Sequence, residues 1–250
     1  MIDALRLCEL LLGAAFAQQS IEHCLGPVRA LLLFLPRLVL SLLLALTALL
    51  ALPNPWVVGV EAALLLCAIV GLFRFDGAYN GGSDRLGLLV LCCVLAARAA
   101  PSLMWAQVAL GYLAVQLVLS YFMAGWAKVL NPAWRNGRAL RDVFAFSAYP
   151  ASEQLRGWQD WPRLLWLVSW GVMLLELLFP VALCNRVVLL AMLTLAAIFH
   201  LINACAFGFN RFFWVWLAAY PALLWFQLWF QLWFQLWFQL SFQLWFQQRL

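Results

Sequence analysis

The stretch Ala30 to Leu52, ALLLFLPRLVLSLLLALTALLAL, decides the fold class. It holds one ionisable side chain, Arg37, beside Pro36 near its start. A helix of that length extends about 34 Å at 1.5 Å per residue, enough to cross a hydrocarbon core of roughly 30 Å. Inside lipid every backbone N–H and C=O must pair within the protein, which leaves helices and closed barrels. A barrel strand would alternate apolar and polar residues over about ten positions. This stretch does not alternate, so it is read as a transmembrane helix.

The rest of the chain extends the pattern. Of 250 residues, 67% are apolar and 10% charged, with mean hydropathy +0.95. Soluble domains carry about 45–50% apolar and about 25% charged residues. The expected architecture is all-α, a polytopic transmembrane bundle of about seven to eight spans. Around Ala30–Leu52 lie candidates at 4–18, 56–73, 86–100, 104–126, 164–183 and 187–207, and from Phe212 onward. The first is the weakest, because Arg6 and Glu9 interrupt it. Charges within it and Asp3 before it also argue against a secretory signal peptide.

The polar stretch Lys128–Arg163, rich in Pro and Gly, reads as loop with short helical pieces, and Arg74–Arg85 as a second loop. With eight spans, eleven of the fifteen basic residues fall on one side and four on the other. The positive-inside rule places the eleven in the cytoplasm. The expected location is the inner (cytoplasmic) membrane of a bacterium. A charge of +5 assigned to a membrane face, with no soluble basic-aromatic surface, argues against nucleic-acid binding.

From Trp225 the chain repeats Trp-Phe-Gln-Leu. A period of four on a 3.6-residue helix turns Gln227, Gln231, Gln235, Gln239 and Gln243 into a winding stripe, drifting about 40° per repeat. The tract reads as an expanded low-complexity extension, so the expected division is 1–224 membrane domain and 225–250 extension of the last helix. The seven cysteines fall mostly inside spans, with no C-x-x-C and no Cys/His ligand spacing. They read as small buried hydrophobes, and no metal or haem site is evident.

Ionisable groups deep in spans face a cavity or a partner. Glu176, His200 and Arg98 are such groups, and a helix–helix tie such as Glu176 to Arg98 is one reading of them. His200 and Asn203 share a helix face. Tyr121, Gly125 and Lys128 also fall on one face, where Gly125 admits another backbone or a ligand. Lys128 either snorkels to the surface or, desolvated, serves as a base. After it, Arg135, Arg138 and Arg141 recur at helical spacing as a basic face for lipid phosphates, a quinone-like head group or an acidic peptide.

Three segments resemble a known family. They are Tyr79-Asn-Gly-Gly-Ser-Asp-Arg-Leu-Gly-Leu-Leu89, Tyr121 to Trp134 with its Phe-x-Ala-Gly-x-x-Lys core, and Phe199-His200-Leu201 with Asn203 followed by Phe207–Phe213. In order and spacing they resemble the HTTM family, the membrane domain of the vitamin K-dependent γ-carboxylase type. The resemblance implies that Lys128 stands where the carboxylase has its catalytic base, with Asn80, Ser83 and His200 beside it. Gly82 stands where the animal enzyme has a histidine, and the large extramembrane domain of that enzyme is not expected here. Both departures argue against true γ-carboxylation.

The candidate catalytic residues are therefore Lys128, His200 and Asn80. The candidate substrate-binding residues are Ser83, Asp84, Arg85, Tyr121, Trp134, Arg135 and Glu176. The expected function is action on a quinone-like or lipid-soluble substrate with Lys128 as base; whether the protein is an enzyme is left open. The alternative is a non-catalytic assembly or maturation factor for a membrane protein or secreted peptide. A transporter ranks last, because no inverted repeat or matched pair of broken helices is visible. Expected partners are membrane lipid and a membrane or secreted protein.

Overall fold

The computed structural model describes residues 1–25, 28–74, 81–146 and 153–247, and among them there is no strand. Over these residues ten α-helices follow in order: α1 (Ile2–Cys24), α2 (Val28–Leu49), α3 (Asn54–Arg74), α4 (Gly81–Arg98), α5 (Leu103–Leu130), α6 (Pro132–Arg135), α7 (Arg138–Phe146), α8 (Pro162–Leu178), α9 (Arg186–Phe207) and α10 (Asn210–Gln247). Two 3₁₀ segments, Glu153–Asp160 and Phe179–Cys184, lead into α8 and α9. All eight expected spans are helices.

Among the described residues, six helical stretches are long and apolar enough to cross a membrane: Leu31–Leu49, Asn54–Phe73, Leu103–Leu130, Pro162–Cys184, Arg186–Phe207 and Asn210–Trp237. The first and fourth expected spans do not belong to this set. α1 carries Asp3, Arg6, Glu9 and Glu22, and α4 carries Asp84, Arg85 and Arg98. Their place in the bundle explains the difference. α1 packs against α2, α4 and α10, and α4 also packs against α3, α5 and α10. Packed by protein on several sides, they bear buried polar groups such as Glu9, Gln19 and Ser83 that a lipid-facing surface could not carry cheaply.

Leu12, Phe16, Leu91, Leu110, Leu113, Leu117 and Leu223 fill the core where these helices meet. The outside is equally apolar: Leu32, Leu42 and Leu46 on α2, Val108 and Val115 on α5, and Leu195 and Ile202 on α9 are exposed. A soluble protein rarely shows so much contiguous apolar surface; in a bilayer it faces acyl chains. The bundle is that of an integral membrane protein.

Local chemistry sets the helix ends that matter for the site. Asn131 accepts a hydrogen bond from the Ala133 amide, and Pro132 opens α6 where no N–H is needed. Asn185 caps α9 in the same way through the amides of Val187 and Val188. Gly208 ends α9 with φ +74°, a left-handed cap that glycine adopts without strain. It turns the chain into α10, which then runs 38 residues without a break at the expected 224/225 division.

Candidate functional site

The site grows from one close helix crossing. A side chain at Gly125 would place its Cβ 2.8 Å from the Leu177 amide nitrogen and 2.9 Å from Glu176 Cβ. Glycine therefore lets α5 and α8 approach backbone to backbone; of the two expected occupants of that space, the structure shows a backbone. One turn further along α5, Lys128 meets Glu176 in a bidentate contact, Nζ donating to Oε1 and Oε2 at 2.7 Å each. The side chains are 19% and 5% exposed, so the pair is largely withdrawn from solvent. The Trp134 ring lies over the ammonium at 5.2 Å, within cation–π range. α8 holds that turn in place: Ser169 Oγ donates to the Trp134 carbonyl at 2.6 Å, and Trp170 Nε1 to the Arg135 carbonyl at 3.1 Å.

Two turns back along α5, the buried Tyr121 hydroxyl lies 3.0 Å from His200 Nε2 and 3.1 Å from the Tyr220 hydroxyl. Its ring stacks on Phe179 and tilts against Trp216, while the His200 ring stacks on Trp216 at 5.0 Å. Between these two polar groups lies a cavity of about 350 Å³, whose lining includes Lys128, Glu176, Tyr121, His200, Phe199 and Phe212. Lys128, Glu176, His200 and Tyr121, picked out from the sequence, thus share one cavity, joined by Asn203.

Other candidates lie elsewhere. Asn80 is outside the described residues. Trp134 covers Lys128 from the loop side. Arg135 and Arg85 are both exposed, and neither lines the cavity. Ser83 is buried at the start of α4. Asp84 accepts from Gln19 Nε2 at 2.6 Å, and Gln19 Oε1 in turn accepts from Arg37 at 2.8 Å. Asp84 therefore belongs with a second polar cluster at the junction of α1, α2 and α4. A further tie joins α1 to α10, where Glu22 accepts from Arg211 at 2.9 Å and from Asn210.

Gly82 links the two regions. Its missing side chain leaves room for the Phe212 ring, whose tip lies 2.6 Å from where a Cβ would sit, and Phe212 forms part of the cavity wall. The expected Glu176–Arg98 tie is corrected: Glu176 pairs with Lys128, and Arg98 pairs with Glu9 at 2.5 and 2.7 Å and with Asn54 at 2.9 Å. Those partners lie near the opposite ends of their helices, so Glu176 and Arg98 sit at different depths.

The sequence reading missed Trp216, Tyr220, Ser120 and the Gln19–Arg37 link. A signal for two of them was present. Phe212, Trp216 and Tyr220 stand four residues apart and so share one face of α10, the face turned to the cavity.

A helical bundle with a charged pair and an aromatic cavity within its apolar mass defines a polytopic integral membrane protein. The family model described as HTTM domain matches residues 95–229, more than half of the chain, and the protein belongs to that family. The matched stretch contains every residue that lines the cavity. No curated protein and no solved structure matches the chain.

Proposed function

We propose that this protein binds a ring-bearing, lipid-soluble compound in the α5–α8–α9–α10 cavity and exchanges a proton with it through Lys128 and Glu176. The observation that carries the reading is a charged pair set in the wall of an otherwise aromatic cavity within a membrane bundle. Structural ties between helices need no adjoining space; this one borders about 350 Å³ of it. That volume is at the lower end of the roughly 300–1,000 Å³ typical of small-molecule sites. A quinone-like head group, the class implied by the family resemblance, suits such a lining: flat aromatic walls and a few polar groups.

In this reading Lys128, held by both carboxylate oxygens, works as one half of a charged pair and not alone. Proton uptake is then a property of the pair. A ligand hydroxyl hands its proton to the carboxylate, leaving Glu176 neutral and the ammonium facing the oxygen that has gained charge. Moving the proton from Lys128 to Glu176 first, so that the amine accepts it, gives the same balance: the pair holds one more proton and the ligand one fewer. The surrounding low dielectric strengthens the ammonium's hold on the new negative charge. The same reading sets the bundle in a bacterial cytoplasmic membrane, with its more basic side inward.

The test works on whatever compound the membrane supplies. Protein purified from its membrane in mild detergent is extracted with organic solvent, and co-purifying aromatic lipids are measured by mass spectrometry. Wild type is expected to carry a near-stoichiometric compound that Lys128→Met loses. Equal amounts in both, or none in wild type, would contradict the reading. A second reading, a docking platform for a partner protein, draws on the basic residues Arg135, Arg138 and Arg141 near the loop-side end of the cavity, all three exposed. Loss of a stoichiometric partner on reversing those three charges would favour it.

A further inference from the structure

The polar stretch between α5 and α8 makes a surface of its own, apart from the cavity. α7 is nine residues long, too short to span, and is tied to the ends of longer elements. The Phe144 ring lies 5.6 Å from that of Trp158 and 5.3 Å from that of Phe207 at the end of α9, and Arg156 Nη1 donates to the Ala145 carbonyl at 2.8 Å. The turn before α7 is pressed onto α8: Gly137 has φ +78°, and a Cβ there would lie 2.9 Å from Trp166 Cα. Beside this contact two surface hollows, of about 450 and 330 Å³, meet at Pro162 and Arg163. Asn136, Trp166 and Leu167 also line the first, and Asp160, Trp161 and Leu164 the second. Asp160 and Arg163 are exposed, and neither is ion-paired among the described residues.

Depth orders these groups. The apolar span that contains α8 begins at Pro162. Asp160 and Trp161 therefore lie on its outer side, Arg163 in its first turn, and Trp166 and Leu167 about one turn deeper, roughly 5 Å. A carboxylate is outermost, a guanidinium next, and exposed apolar side chains innermost. A phospholipid headgroup that ends in an ammonium carries complementary groups in the same order: ammonium, phosphate, acyl chain. We propose that this groove binds phosphatidylethanolamine from the surrounding bilayer. The Arg163 fork takes phosphate oxygens. Asp160 accepts hydrogen bonds from the primary ammonium, in the hollow it shares with the Trp161 ring. Trp166 and Leu167 carry the start of an acyl chain, at an interfacial depth that suits Trp. Asp160 sets the selectivity. An anionic headgroup brings it no cation and meets its repulsion, and a quaternary choline cannot donate it a hydrogen bond.

Titration of the purified full chain with phosphatidylethanolamine, phosphatidylcholine and phosphatidylglycerol of identical acyl chains, read by native mass spectrometry, tests this. Wild type is expected to bind phosphatidylethanolamine about fivefold more tightly than the other two, the upper worth of one exposed ion pair. Equal affinity for all three would overturn the proposal, as would a preference for phosphatidylglycerol, which would mark the groove as general basic charge. Asp160→Asn is expected to abolish the preference by weakening phosphatidylethanolamine alone. Arg163→Gln is expected to weaken all three lipids. Wild-type binding in either variant would overturn the proposal. Arg141→Gln is the control, being exposed on α7 but outside the groove. It is expected to bind as wild type does, and a loss equal to that of Arg163→Gln would overturn the site in favour of diffuse charge. Glycerophosphoethanolamine, the same headgroup without acyl chains, is expected not to displace the lipid at equal concentration. Full displacement would assign the groove to a soluble ligand and overturn the lipid as its occupant.

Discussion

At the scale of single residues, Gly125 determines whether Lys128 and Glu176 can meet at all. Gly125→Ala would drive a methyl group into the α8 backbone, which cannot rotate away as a side chain could. The expected result is a loss of about 1–3 kcal/mol, the usual cost of overpacking, read as a lower melting temperature in detergent. Gly171→Ala on α8 is the control, because nothing lies within 4 Å of its added Cβ; it is expected to leave stability unchanged or slightly raised. Glu61 makes the converse case. It is fully buried in α3, and neither carboxylate oxygen has a partner among the described residues. Glu61→Leu is expected to raise stability by about 1–3 kcal/mol in the same melt, since it removes unsatisfied polar atoms; a marked loss would show that the carboxyl has a structural task. The residues of the cavity were partly legible in the sequence. Lys128, Glu176 and His200 stand out because lipid does not tolerate such groups without reason. Their pairing was not legible, since which of Arg98 and Lys128 meets Glu176 depends on the depth of each helix.

At the scale of helices, charge did not predict position in the way hydropathy alone implies. α1 and α4 look like poor spans yet lie inside the bundle, where Glu9 meets Arg98 and Gln19 links Arg37 to Asp84. The sequence marks a charged helix but not the neighbour that shields it. The Trp-Phe-Gln-Leu tract shows how periodicity becomes packing. A four-residue period drifts around a 3.6-residue helix. Gln227 is accordingly buried, Gln231 is half-buried and donates to the Cys184 carbonyl at 3.0 Å, and Gln235 and Gln239 are exposed. The first unit therefore packs into the bundle and later ones wind away from it. Truncation after Trp237 is expected to leave the detergent melt unchanged, while truncation after Leu224, which removes the packed Trp225, Phe226 and Gln227, is expected to lower it. Equal effects would contradict this division of α10.

At the scale of the whole molecule, the ends of α1, α5 and α9 gather with the starts of α2, α4 and α10, as the contacts of Gln19 with Arg37 and Asp84, Glu22 with Arg211, Tyr121 with His200 and Gly82 with Phe212 require. The cavity lies toward that end, beside the loop that carries Arg135, Arg138 and Arg141. The positive-inside rule predicts a cytoplasmic location for this end. A single reporter cysteine at Arg141→Cys, in a chain whose native cysteines are replaced, is expected to react with a membrane-impermeant thiol reagent in inverted vesicles and not in intact cells. The central claim is that Lys128 and Glu176 serve a ligand and not only the joint between α5 and α8. The double variant Lys128→Met with Glu176→Gln tests it most directly, because replacing both partners of a buried pair is often neutral for stability whereas removing one is not. Melting temperature and bound aromatic lipid are measured on the same preparation. The double variant is expected to melt within a few degrees of wild type and to carry no ligand; retention of the ligand at the wild-type level would contradict a ligand-binding role for the pair.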